Sequence, residues 1–433
     1  MISPNEKTEK LNRKQPPPVA DAVHFDLHLK PYQKYFLDNG VPVYAVDAGA
    51  EEVMMLEWVF FAGNSLENKN LLAATTNFLL RNGTSTKTAF QINEHFEYHG
   101  AYLNRACYNE TATVTLHTLS KHIRELLPVV REILTDSVLP AEELAVYQQN
   151  MLQRLKVNLK KNDFVAGRLI DAYLYGEQHP YGKYTHEEDF EKLNREELVD
   201  FYDRYYRHGK WVIFAAGKLP SDLAALLNKN FGDLDCQGIE IPEHSSTPSL
   251  QKKYRITNDE NGVQGAIRMA RHFPNRHHPD FTKAQVLNVV LGGYFGSRLM
   301  SNIREEKGYT YGIHSYLQNH IEQSAWMIST EAGKDVSEAA IEEVYKEMKI
   351  LREEPVSEDE LMLVRNYMMG SILGDLDGPF QIMARWKNII LNNLSEQYFY
   401  ETINTIRNIT ADELQLLAQK YLQPDEFYEL VVI

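Results

Sequence analysis

Cysteine is scarce in this 433-residue chain: Cys107 and Cys236 are the only two. They fit neither a metal-ligand spacing nor a disulfide framework, so the chain reads as a cytosolic-type protein with an expected cytoplasmic location. Basic residues are also in deficit, 45 Lys and Arg against 60 Asp and Glu, for a net charge of −15. That balance argues against nucleic acid or an anionic membrane as the main partner, because both reward clustered cations. Long hydrophobic runs are missing. Residues 58–62 and 286–291 are among the longest, far short of the ~20 residues that cross a bilayer, so no membrane span is expected. Residues 1–19 are polar and basic and run through Pro16-Pro17-Pro18 without an apolar stretch, which predicts an extended arm rather than a secretory signal. What is present is 43% hydrophobic and 24% charged residues, enough for two sizeable cores.

Three pairs of segments recur in the same order at an offset of about 216 residues. Pro140-Ala-Glu-Glu-Leu144, followed by Asn150-Met151, answers to Ser357-Glu-Asp-Glu-Leu361, followed by Tyr367-Met368-Met369. Residues 198–206 and the strand pattern 211–216 answer to 414–421 and 427–433. Residues 56–64, leading into a helix at 71–80, answer to 265–274, leading into a helix at 281–291. Such a repeat predicts two copies of one unit: a first domain at 20–235, a turn-rich linker at 236–249 with Pro242 and Pro248, and a second domain at 250–433. Residues 53–62 and 112–118 read as strands, and 123–134, 141–161 and 339–351 as helices. Strands and helices mix without regular alternation, which favours α+β domains over a doubly wound sheet.

Two histidine clusters invite a metal reading. His95 and His99 stand four apart on a predicted helix ending at Gly100, but Glu97 falls roughly 200° round the helix from His95, away from any shared metal. Two residues at a helix end are the plainer reading. Arg271-His272 with Arg276-His277-His278-Pro279-Asp280 reads as a polar connection with Asp280 near a helix start. The run from Leu291 to Tyr316 reads as helix, glycine turn, short helix and strand. Ser297 is expected at its N-cap, Arg304 in its last turn and Gly308 just beyond it. Alternation places Tyr309, Tyr311 and Ile313 on one strand face. A half-buried aromatic strand would account for these tyrosines as well as a site would.

The duplication, together with Gly296-Ser297-Arg298-Leu299 through Arg304 to Gly308 and Tyr311, resembles the pitrilysin-like, or inverzincin, zinc metallopeptidases. Their relatives include mitochondrial processing peptidase and insulin-degrading enzyme. The resemblance covers nearly the whole chain and implies in each half a mainly antiparallel sheet packed with helices. It also implies that Arg304 and Tyr311 bind substrate. The same resemblance places His-x-x-Glu-His shortly before Gly83-Thr84, where this chain has Ala74, Thr75, Thr76, Asn77 and Phe78. The third ligand, a glutamate, is expected on the helix at 141–161, where Gln148, Gln149, Asn150 and Gln153 stand instead. Alanine, asparagine and phenylalanine supply neither ligands nor a base at these positions. No metal is therefore expected in this chain, and zinc is expected in a partner. The resemblance implies a non-catalytic subunit of a heterodimeric metalloendopeptidase, presenting Arg304 and Tyr311 to a zinc-bearing paralogue across a closed chamber that holds the peptide. A purely structural subunit of the respiratory core-protein kind, a homodimer, and a self-sufficient hydrolase with a relocated site at His95 and His99 are the alternatives.

Overall fold

A computed structural model describes residues 20–433 other than 239 and 241; the predicted arm at 1–19 lies outside the described residues. In the first half, strands β1 (Gln33–Phe36), β2 (Pro42–Asp47) and β3 (Val53–Phe60) precede helices α1 (Leu72–Leu79) and α2 (Ala89–Tyr98). The hairpin β4 (Tyr102–Cys107) and β5 (Ala112–Leu119) follows, then α3 (Ile123–Asp136), α4 (Ala141–Asn158), α5 (Asn162–Tyr175), α6 (Glu187–Lys192) and α7 (Arg195–Tyr202). β6 (Trp211–Gly217) and α8 (Leu223–Phe231) end the half. The second half runs β7 (Lys253–Ile256), β8 (Gln264–Phe273), α9 (Phe281–Asn288), a π-helical segment (Met300–Glu306), β9 (Thr310–Asn319) and β10 (Ser324–Gly333). It closes with α10 (Ser337–Glu353), α11 (Glu358–Gly374), α12 (Pro379–Leu391), α13 (Gln397–Asn408), α14 (Ala411–Tyr421) and β11 (Tyr428–Val432).

The repeat read from the sequence is a repeat of topology. The first sheet has the order β1-β2-β6-β3-β5-β4 and the second β7-β11-β8-β10-β9. Apart from the extra β1, the two are identical. One parallel pair occurs at the same place in each, β2 with β6 and β7 with β11, and every other pairing is antiparallel.

Each sheet is covered on both faces, and the pleat decides which residue serves which face. In β3, Met54, Leu56, Trp58 and Phe60 point into a core with α1, α3, α7 and α8 of their own half. Met55 and Val59 point the other way, into a core shared with Ile382, Met383, Trp386 and Ile389 of α12. The second sheet reverses the exchange: Ala266 and Ala270 of β8 and Leu430 of β11 pack on Val165, Ala166, Ile170 and Leu174 of α5. The two halves thus trade a helix. A strand buried on both faces reads as a continuous apolar run, which is why β3 shows no alternation in the sequence.

Candidate functional site

The segment bearing Arg304 and Tyr311 is fastened at several points. Arg298 makes a two-pronged ion pair to Glu360 at the start of α11, both bonds 2.8 Å. Ser297 precedes the first helical turn, as expected, but its buried hydroxyl has no partner among the described residues; the helix starts on the Ser297 carbonyl, which accepts from the Ser301 amide at 2.9 Å. Asn288 bonds to the Ser315 carbonyl at 3.0 Å and accepts from its hydroxyl at 2.6 Å, tying α9 to β9. Gly308, at φ +67°, turns the chain from the π-helical segment into β9, the left-handed conformation that glycine adopts without strain.

Tyr311 does not share a face with Ile313, contrary to the alternation read from the sequence. Thr330 of β10 pairs with Ile313 and Ala332 with Thr310, so Tyr311 and Gly312 together stand opposite Glu331 alone. This is a β-bulge, a device that re-aims a side chain beside a site. Ile313 is fully buried while Tyr311 is 94% exposed. Arg304 Nε donates to the Tyr311 carbonyl at 2.9 Å, and its guanidinium lies 4.7 Å from the centre of the exposed Phe295 ring and 6.0 Å from that of Tyr311. One nitrogen of Arg304 is thereby fixed, and the Tyr311 hydroxyl stands clear of the surface.

At the metal-motif positions of the first half, the side chains do not suit a cation. Asn77 is buried and donates to the Thr113 carbonyl at 3.3 Å and to the Tyr206 hydroxyl at 3.1 Å. Phe78 packs on Tyr147 of α4, ring centres 4.7 Å apart. The Arg105 guanidinium lies 5.0 Å from the centre of the Phe78 ring, placing a positive charge beside the motif. Glu67 is almost completely buried, pairs with Lys183 at 3.0 Å and accepts from the Ala73 amide at 3.0 Å, so it closes the start of α1. Cys107 is no nucleophile: burial, with help from Glu67, pushes its thiol up to about 12, and the reactive form is the thiolate. These residues do not fit a zinc ion, and among the described residues no group of three or more His, Cys, Asp or Glu is placed to hold a metal.

His95 and His99 are engaged elsewhere, by the Glu125 carbonyl at 3.2 Å and the His95 carbonyl at 2.8 Å. Asp280 precedes α9 and takes Lys420 and the Tyr421 hydroxyl, each at 2.7 Å, as a polar connection would. Neither the placement of Arg105 and Tyr147 around Phe78 nor the bulge at Tyr311 was foreseen from the residue pattern. Gly312 within a strand was the one available signal for the last.

The two halves share one topology, and the residues at the expected metal positions of the first half do not suit a metal ion. Residues 192–368 match the family profile described as "Peptidase M16 inactive domain". Over 357 residues, 81% of this chain and 85% of the relative, the sequence is 24% identical to YmxG, an uncharacterized zinc protease of Bacillus subtilis. It is 25% identical over 263 residues, 60% of this chain and 55% of the relative, to cytochrome b-c1 complex subunit 1 of Bos taurus. A crystal structure of a peptidase M16 inactive domain from Pseudomonas fluorescens superposes with a TM-score of 0.80 at 24% identity, covering 93% of this chain and 98% of that one. Residues 192–368 thus resemble the M16 inactive domain, and most of the chain is similar to M16-like proteins. Among its described residues no helix is long and apolar enough to cross a membrane.

Proposed function

We propose that this chain is the substrate-binding, non-catalytic subunit of a two-chain zinc peptidase, working with a zinc-bearing M16-like paralogue. The observation that carries this reading is the contrast within one chain: Tyr311 is turned outward on a bulge beside Arg304, while Ala74, Asn77 and Phe78 stand where ligands and base would be. A zinc ion held by the partner would supply a polarised water. In this chain, the Tyr311 hydroxyl donates to the oxyanion that forms when the peptide carbonyl is attacked, where a preorganised donor outperforms solvent. Nη2 of Arg304, held neither by the Tyr311 carbonyl nor by Glu305, bonds to a main-chain carbonyl of the extended peptide and sets its register. Arg298 positions that segment through Glu360.

The test is cleavage of a peptide library by this chain mixed with the paralogue. Tyr311→Phe is expected to lower kcat/KM about 10²–10³-fold without changing assembly by size-exclusion chromatography, and Arg304→Ala to raise KM. Full activity with Tyr311→Phe overturns the role of Tyr311. A second reading, a structural subunit without a peptidase role, draws on the similarity to the b-c1 subunit. It predicts assembly with no cleavage in any mixture.

A further inference from the structure

Beside the metal-motif positions, the first half holds two cations that the proposed function leaves unused. Arg105, on β4, donates to the Phe78 carbonyl and to Asn82 Oδ1, the latter at 3.4 Å. Arg81, just beyond α1, donates to the Leu103 carbonyl at 2.7 Å. Neither guanidinium forms an ion pair among the described residues. Other half-buried arginines differ among themselves: Arg268, Arg271 and Arg298 are paired with Asp163, Glu426 and Glu360, whereas Arg168 and Arg352 donate to main-chain carbonyls. The charge of Arg81 also acts on Arg105. Burial lowers Arg105 to about 9, and the charge of Arg81 adds to the fall, while Tyr206 and Tyr102 oppose it. Glu97 and Tyr102 favour the charge on Arg81 without contacting it.

Two neighbouring guanidiniums with unused N–H groups, drawn partly out of water, are costly unless an anion shares them. β4 ends its sheet, so its outer edge offers unpaired main-chain groups to an extended chain. Phe78 and Tyr102, 38% and 63% exposed, give that edge apolar surface. We propose that Arg81 and Arg105 form a carboxylate-binding site for a peptide, at the place where the metal motif has been lost. The fork of an arginine matches a carboxylate with two parallel hydrogen bonds, so one guanidinium can seat the anion while the other neutralises it. The carboxylate is either a peptide's C-terminus or an acidic side chain. This site lies in the other half of the sequence from Arg304 and Tyr311 and stands independently of their role.

The test uses the full chain alone and fluorescence anisotropy with fluorescein-labelled, Val/Thr-rich peptides in matched pairs, C-terminal acid against amide and internal Glu against Gln. In at least one pair the charged peptide is expected to bind about tenfold tighter or more, the range of a charge-assisted hydrogen bond, and the pair showing the difference identifies the source. Arg105→Gln should abolish the difference and Arg105→Lys retain part of it. Arg81→Gln should weaken it, and serves in its place if Arg105→Gln does not fold. No binding by any peptide, equal binding within both pairs, or a preference that survives both glutamine variants overturns the proposal.

Discussion

Asp171 shows how much a single residue's placement can carry. It sits on α5, accepts from Gln318 Nε2 at 3.3 Å, and burial pushes its carboxyl up to about 7 from 3.8, against the pull of Gln318 and Arg268. Between those two values the folded chain holds a proton that the unfolded chain releases. Its contribution is therefore complete below 3.8 and is lost as pH rises through about 7. Asp171→Asn is expected to be more stable than the parent at pH 8 and to lose most of that advantage at pH 4.5, in urea unfolding at both values. An equal difference at the two pH values would refute this assignment. The same dependence on placement limited what residues revealed in the sequence. The pairing of Arg304 with Tyr311 was open to reading because their seven-residue spacing is local, and the structure brings the two together. Arg105 was not, since its meaning comes from the Phe78 ring it covers. Nor was the direction of Tyr311, because a bulge breaks the alternation on which that reading relies.

At the scale of elements, the helices and strands followed their patterns closely. Residues 123–134 and 141–161 were expected as helices and occur as α3 (Ile123–Asp136) and α4 (Ala141–Asn158); residues 112–118 became β5 (Ala112–Leu119). The exchange of α5 and α12 was not visible. A helix's apolar stripe shows that it has a buried face and is silent on which sheet covers it. The exchange has an energetic consequence: Leu27, Tyr44, Val59 and Phe214 of the first half share one continuous core with the second. Ile170→Ala, on α5 against the second sheet, is expected to cost about 2–5 kcal/mol. Its effect should reach β3 and β6 as well as β8 and β11, read as faster hydrogen exchange in all four strands. Loss of protection confined to α5 and the second sheet would show that the halves unfold separately.

For the whole molecule, two halves of one topology allow the proposed division, in which one half lacks a metal set and the other presents Arg304 and Tyr311. The two halves share a topology, but each presents different side chains at its edge-strand site: Asn77, Phe78 and Arg105 in the first, Arg304 and Tyr311 in the second. On the proposed reading the second set serves a metal site that a partner chain supplies. The most direct test is to purify this chain alone and together with a zinc-bearing M16-like paralogue from the same source, and to measure bound zinc and cleavage of a mixed peptide library in both. The account predicts no stoichiometric zinc and no cleavage in the lone chain, with chelator-sensitive cleavage in the mixture. Zinc at one per chain with chelator-sensitive cleavage by the lone chain would contradict it.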